Sequence, residues 1–260
     1  MNAEISNNDL TDLRLAKHLL ENPSLAARIA NTVGIPVERL FGLLPDGVHD
    51  IVVAATNKAL TQALTISIST LGERQSHGAD VRHKGLVAMT GAVGGAFGLA
   101  ALPLELPAST ILMLRSIASI ARGEGESMES TEARLACLQV FSLGGPQRQD
   151  DAVESGYFAV RAALATAMTD AAEYIATHGV AQKGAPALVR LTTQIAARFG
   201  IPVSQKIIAQ SVPVIGAAGG AGINVLFMDH FQKLARGHFV VRRLERRYGP
   251  EGVRHAYVEL

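Results

Sequence analysis

The chain has no tryptophan, a single cysteine and few aromatic residues, 5% of 260. Its lone Cys137, set in RLACLQVFSLGG, excludes a disulfide framework and a thiolate metal site, and reads as a buried helical thiol. Charged residues amount to only 18% and balance to a net +1, so no global charge favours nucleic acid, and none is expected as a partner. Apolar residues reach 48%, which excludes a disordered or acidic tail. No run alternates apolar and polar residues between Gly/Asn turns, so no sheet is expected and the fold class is all-α. The start, MNAEISNNDLTDLRL, is polar and mixed in charge, unlike a signal peptide, and points to a cytoplasmic protein.

What the chain has instead is glycine and alanine in long uncharged runs. Residues 86–104 (LVAMTGAVGGAFGLAALPL) and 207–228 (IIAQSVPVIGAAGGAGINVLFM) contain no charged residue and no histidine. Glycines recur at helical spacing, Gly91/Gly95 and Gly94/Gly98 in the first run and Gly216/Gly220 in the second. Such spacing bares one helix stripe for close backbone approach. Both runs reach the roughly 18–20 residues that span a bilayer. Their Gly, Ala, Ser, Thr and Pro content inserts poorly, which favours helices buried in a compact domain over spanning ones.

The two regions also align. GAVGGAFG at 91–98 matches GAAGGAG at 216–222, and 111–125 matches 225–239 with Leu112/Leu226, Ala121/Ala235, Arg122/Arg236 and Gly123/Gly237 identical. The expected architecture is a compact multi-helix domain around two glycine-rich hairpins, either pseudo-symmetric or alike by chance of low complexity. A helical extension over 1–44 precedes this domain at 45–260. Within it, LPLELP (102–107) is expected to turn the chain into a helix beginning at Ala108. Gly200 is expected to end a helix that opens at Pro186, and Asn8-Asp9 to cap the first helix.

The glycines lack the strand context of a dinucleotide loop and the terminal G-K-[ST] of a P-loop, so no nucleotide cofactor is expected. Eight scattered histidines form no H-E-x-x-H pair, which leaves no metal site, and no nucleophile elbow is present. More suggestive are ionisable groups in apolar surroundings: Glu105 between Pro103 and Pro107, Arg115 in ILMLRSIASI, Lys206, and Asp229-His230 after NVLFM. Buried charges need partners. Arg115 and Asp229 are aligned in the repeat and could pair, while Asp229, Lys233 and Arg236 could equally mark a solvated stripe. In the C-terminal region Arg242, Arg243, Arg246 and Arg247 lie opposite Val241, Leu244 and Tyr248 on a helix. That face could rest on an anionic membrane surface, each cation adding up to ~1 kcal/mol, or be the solvated side of a docked terminal helix.

Taken together, these segments resemble the EcsC protein family. The resemblance rests on the glycine-rich run followed by Pro103-Leu104-Glu105-Leu106-Pro107, Arg115 in the next helix, Lys206 of VSQK, and VPVIGAAGGAGIN (212–224) with its basic continuation. It implies an α-helical, membrane-associated or transport-linked bacterial protein and supplies no catalytic residue. Three functions follow as expectations. The first is a non-enzymatic cytoplasmic protein, peripheral to the inner membrane, that engages lipid or an inner-membrane transporter component through its hairpins and the four arginines. The second is an enzyme acting on lipid or peptide, with Glu105, Arg115, Lys206, Asp229 and His230 as candidate catalytic residues. The third is a soluble module enclosing an acyl chain.

Overall fold

Every regular element among the described residues is a helix. The computed structural model describes residues 5–21, 25–33, 48–71, 102–143, 156–178, 185–210 and 216–260. In chain order these form α1 (Asn7–Glu21), α2 (Leu25–Val33), α3 (Val48–Thr70), α4 (Leu102–Gly123), α5 (Thr131–Gln139), a 3-10 turn (Val140–Ser142), α6 (Gly156–His178), α7 (Pro186–Gln210), α8 (Gly216–Tyr248) and α9 (Pro250–Glu259). At 33 residues α8 is roughly 50 Å long and serves as the central strut, touching α1, α2, α4, α7 and α9.

Local chemistry accounts for the boundaries. Ser6 rather than Asn8-Asp9 caps α1: its carbonyl accepts from Leu10 N–H at 2.9 Å and its hydroxyl accepts from Asp9 N–H at 3.3 Å. Ser130 caps α5, accepting from Ala133 N–H. The turn from α8 to α9 needs a positive φ, met by Gly249 at 85°, and Pro250 then opens α9 with its φ already set.

Two helices run further than their prolines and glycines suggest. LPLELP is the first part of α4, not a turn, with Pro107 inside the helix. A proline ring removes the N–H that would bond the carbonyl four residues back. That freed carbonyl, of Pro103, accepts from Lys58 Nζ at 3.3 Å, so α3 meets the polar demand. Likewise α7 passes through Gly200 and Pro202 to Gln210, carried by packing of Phe199, Val203 and Ile207 in the core.

Contacts along the helices set their directions. Lys58 meets Pro103, and Leu71 accepts through its carbonyl from Arg122, so α3 and α4 run parallel. Glu105 meets Asn224, Ser116 meets Gln232 and Glu126 meets Arg242, so α4 and α8 are also parallel. Gly91, Gly94, Gly95 and Gly98, however, lie outside the described residues. The aligned Gly123 and Gly237 also differ: a Cβ on Gly123 meets nothing within 4 Å, whereas one on Gly237 comes within 2.7 Å of Leu20.

Four of the phenylalanines form the centre of the core. Phe141, Phe199, Phe227 and Phe231 join the 3-10 turn, α7 and α8 with ring centroids 4.9–6.1 Å apart. Each fully buried ring contributes about 1.5–3 kcal/mol. The first helix belongs to this body, with Leu13, Ala16 and Leu20 almost fully buried along α8.

Candidate functional site

Glu105 stands in the first turn of α4, where the helix N-terminus favours a negative charge. Its Oε1 accepts from Lys206 Nζ of α7 at 2.7 Å and from Asn224 Nδ2 of α8 at 2.9 Å. Lys206 Nζ also lies 5.2 Å from the centroid of the Phe227 ring. Three helices therefore meet at one ion pair. The pair is sealed, with side-chain exposure of 0% for Lys206 and 4% for Glu105. Desolvation pulls the Lys206 ammonium below its usual range, and the Glu105 charge works against that pull.

Glu105 and Lys206 were singled out separately in the sequence, and the fold joins them. Asn224 is the partner that sequence reasoning missed. Its only signal was its place as the last residue of GAGIN, four positions after Gly220, itself buried. Glu105, Lys206 and Asn224, each from a segment that carried the family resemblance, thus meet at one point.

The remaining candidates lie elsewhere. Asp229 is bound by Arg28 at 2.7 Å and by Lys233 at 3.1 Å, not by Arg115, so the pairing expected across the repeat is replaced. Arg28 wins because α2 packs against α8, bringing a cation that the sequence alignment could not anticipate. These two cations, through their hydrogen bonds and charge, outweigh the desolvation that would raise the Asp229 pKa, and it is lowered. His230 is buried with its ring edge against Phe231 at 5.0 Å. Arg115 is half-buried on α4, about 15 Å of helix rise from Glu105. A single cleft of Glu105, Arg115, Lys206, Asp229 and His230 is not assembled. Among the described residues no group of three His, Cys, Asp or Glu side chains is placed to hold a metal.

The C-terminal arginines belong to the end of α8, not to a short separate helix. Arg242 bonds Glu126 at 2.8 Å, and Arg246 bonds the same carboxylate. Arg243 bridges Glu124 at 2.8 Å and Asp12 at 2.5 Å, while Arg247 reaches Asp9 at 3.0 Å. Asp9 also accepts from the Tyr248 hydroxyl at 2.7 Å, which holds its carboxyl below the usual range. Val241 and Leu244 are fully buried, so the apolar side of this stretch is docked on the core. The four guanidiniums clasp α1 and the α4–α5 turn to α8.

Three exposed large apolar side chains lie at the other end of the parallel helices, while Leu15, Val189 and Val258 are exposed on α1, α7 and α9. Ile51 and Val53 of α3 are 42% and 44% exposed, and Leu104 in the first turn of α4 is 77% exposed. Beside them, α3 and α7 border a groove of about 370 Å³. By length and composition 50–69 in α3 and 103–123 in α4 could cross a membrane, with 44% and 61% of their apolar windows buried inside the protein.

A model of the EcsC protein family matches residues 8–244, so the match begins within α1 and takes in most of the 1–44 region set apart above. No curated protein and no solved structure matches the chain.

Proposed function

The chain belongs to the EcsC protein family, and on that premise we propose that it is a non-enzymatic helical protein docking on a membrane surface through the shared end of α3 and α4. The exposed Ile51, Val53 and Leu104 carry this reading. Bulky apolar side chains at one end of two parallel apolar helices gain transfer free energy when they enter lipid, about 1.5–3 kcal/mol for each that becomes fully buried. Against the enzyme reading stands the sealed Glu105–Lys206 pair, which offers no reacting group to a substrate. The arginines, engaged within the protein, now fit a structural role better than a lipid-facing one.

Vesicle co-sedimentation tests this. The protein is expected to pellet with vesicles of mixed phosphatidylcholine and phosphatidylglycerol, and to keep doing so at high salt, where attraction between exposed charges is screened. Ile51→Asp with Leu104→Asp should abolish binding without lowering thermal stability. Binding lost in high salt but kept by that variant would move the contact to the arginine surface, and absence of binding to any vesicle would defeat the membrane reading.

A further inference from the structure

The surface formed by α3 and α4 carries two cations beside its exposed apolar side chains. Ile51 and Lys58 are seven residues apart on α3, about two turns. Leu104 and Arg115 are eleven apart on α4, about three turns. Each cation therefore shares a helix face with an exposed apolar residue. Lys58 reaches across to α4 and donates to the Pro103 carbonyl at 3.3 Å, next to Leu104, which joins the two faces.

Neither cation has a carboxylate partner among the described residues. Lys58 is exposed, and its described hydrogen bond goes to that carbonyl. Arg115 is half-buried, its Nε sealed without a hydrogen-bond partner, and no described ion pair holds its guanidinium. On the same helix, Glu105 is closed off with Lys206. Asp50 stands in the first turn of α3, about 12 Å of helix rise from Lys58, where the helix dipole favours it. The C-terminal arginines show the opposite arrangement, each held by a carboxylate of α1 or the α4–α5 turn.

Lys and Arg stems lie along apolar surface while their heads seek a polar partner, and a guanidinium matches the oxygens of a phosphate. Arg115 stands about 18 Å of helix rise beyond Pro103, so it and Lys58 are too far apart to share one phosphate. A surface bearing many phosphates serves both cations, whereas a single small anion does not. Apolar side chains with cations beside them are the combination that binds an anionic lipid interface.

We propose that Lys58 and Arg115 give the docking surface a preference for anionic phospholipid. Phosphodiesters of two separate headgroups accept from Lys58 Nζ and the Arg115 guanidinium, while Ile51 and Leu104 enter the acyl layer. The inference rests on the membrane-docking reading and adds the lipid class to it.

Partition of the full chain into vesicles of phosphatidylcholine alone, and of phosphatidylcholine mixed equally with phosphatidylglycerol, tests this at physiological salt. The mixed vesicles are expected to bind about tenfold or more tighter, since each cation near an anionic surface is worth roughly fivefold. Lys58→Gln with Arg115→Gln should bring that ratio to within about twofold of parity while partition into phosphatidylcholine persists. Arg115→Lys, which keeps the charge, should retain most of the ratio. Should the double variant fail to melt cooperatively, Lys58→Glu at its exposed position takes its place and should lower the ratio at least about fivefold. Arg246→Gln with Arg247→Gln should leave the ratio unchanged. Equal partition of the wild type into both vesicles, or a ratio that follows Arg246 and Arg247 instead, would overturn the assignment and leave docking standing. Absence of binding to either vesicle would overturn both.

Discussion

The Tyr157 hydroxyl lies 2.9 Å from Nδ1 of His238, and both side chains are buried. Arg161, held by Glu245 at 2.6 and 2.9 Å, donates to the same hydroxyl oxygen at 3.3 Å. That oxygen accepts from the guanidinium, and the hydroxyl and Nδ1 share one further hydrogen bond whose direction the imidazole tautomer sets. Burial pushes the His238 pKa well below its ordinary value, with the Arg161 and Arg242 charges adding to the effect.

This burial makes stability depend on pH. Below about pH 6.5 the unfolded chain takes up a proton at this histidine that the folded chain refuses. The contribution is complete above that pH and is lost as pH falls, with a limiting slope of about 1.4 kcal/mol per pH unit. Urea midpoints measured from pH 7.5 down to 5 should fall less steeply in His238→Gln than in the wild type. Equal slopes would mean that His238 is protonated in the folded state.

The Glu105–Lys206 pair should behave as a unit. Lys206→Met leaves a buried carboxylate with only Asn224, and Glu105→Gln leaves a buried ammonium facing an amide. Each is expected to cost about 3–5 kcal/mol. The double variant should cost less than the sum by roughly 0.5–3 kcal/mol, read from denaturant unfolding. Additive losses would show that the pair does not tie α4 to α7.

Two glycines of α8 should respond in opposite directions. At Gly237 a Cβ would lie 2.7 Å from Leu20 Cγ and 3.0 Å from the Ala16 carbonyl oxygen, so Gly237→Ala must push α1 away, at about 1–3 kcal/mol. At Gly222 a Cβ meets nothing, and Gly222→Ala should gain up to about 1 kcal/mol of helix propensity. Melting temperatures that shift in the same direction would contradict the seating of α1 on α8.

Cys137 provides a probe of opening. The thiol is fully buried beside Met128, and burial pushes its pKa up to about 12. Iodoacetamide at pH 8 should leave it unmodified in the native protein and label it quickly in urea. Rapid native labelling would place α5 at the surface.

Much was legible in the sequence because it rested on local rules. The absence of alternating runs excluded a sheet, and the setting of Cys137 marked a buried thiol. The resemblance identified the family because its signals are short words in the chain. Glycine and proline misled where packing overrode propensity: Gly200 and Pro202 lie inside α7, and Pro107 lies inside α4 because Lys58 takes up the carbonyl it frees.

The site divides along the same line. Composition identified Glu105 and Lys206 as charges in apolar surroundings, each needing a partner, but could not say which. Charges 101 positions apart become neighbours only when α4 and α7 pack, and Asn224 joins them from α8. The basic stretch at 242–247 was plain, whereas its neutralisation was not, because Asp9 and Asp12 come from the opposite end of the chain. Helix-forming tendency and the presence of charge are properties of residues and their near neighbours, so the sequence by itself determined an all-helical protein with charges in need of partners. Which partner each charge received, and which apolar side chains were left at the surface, depended on helix packing between distant segments, and only the tertiary structure decided them.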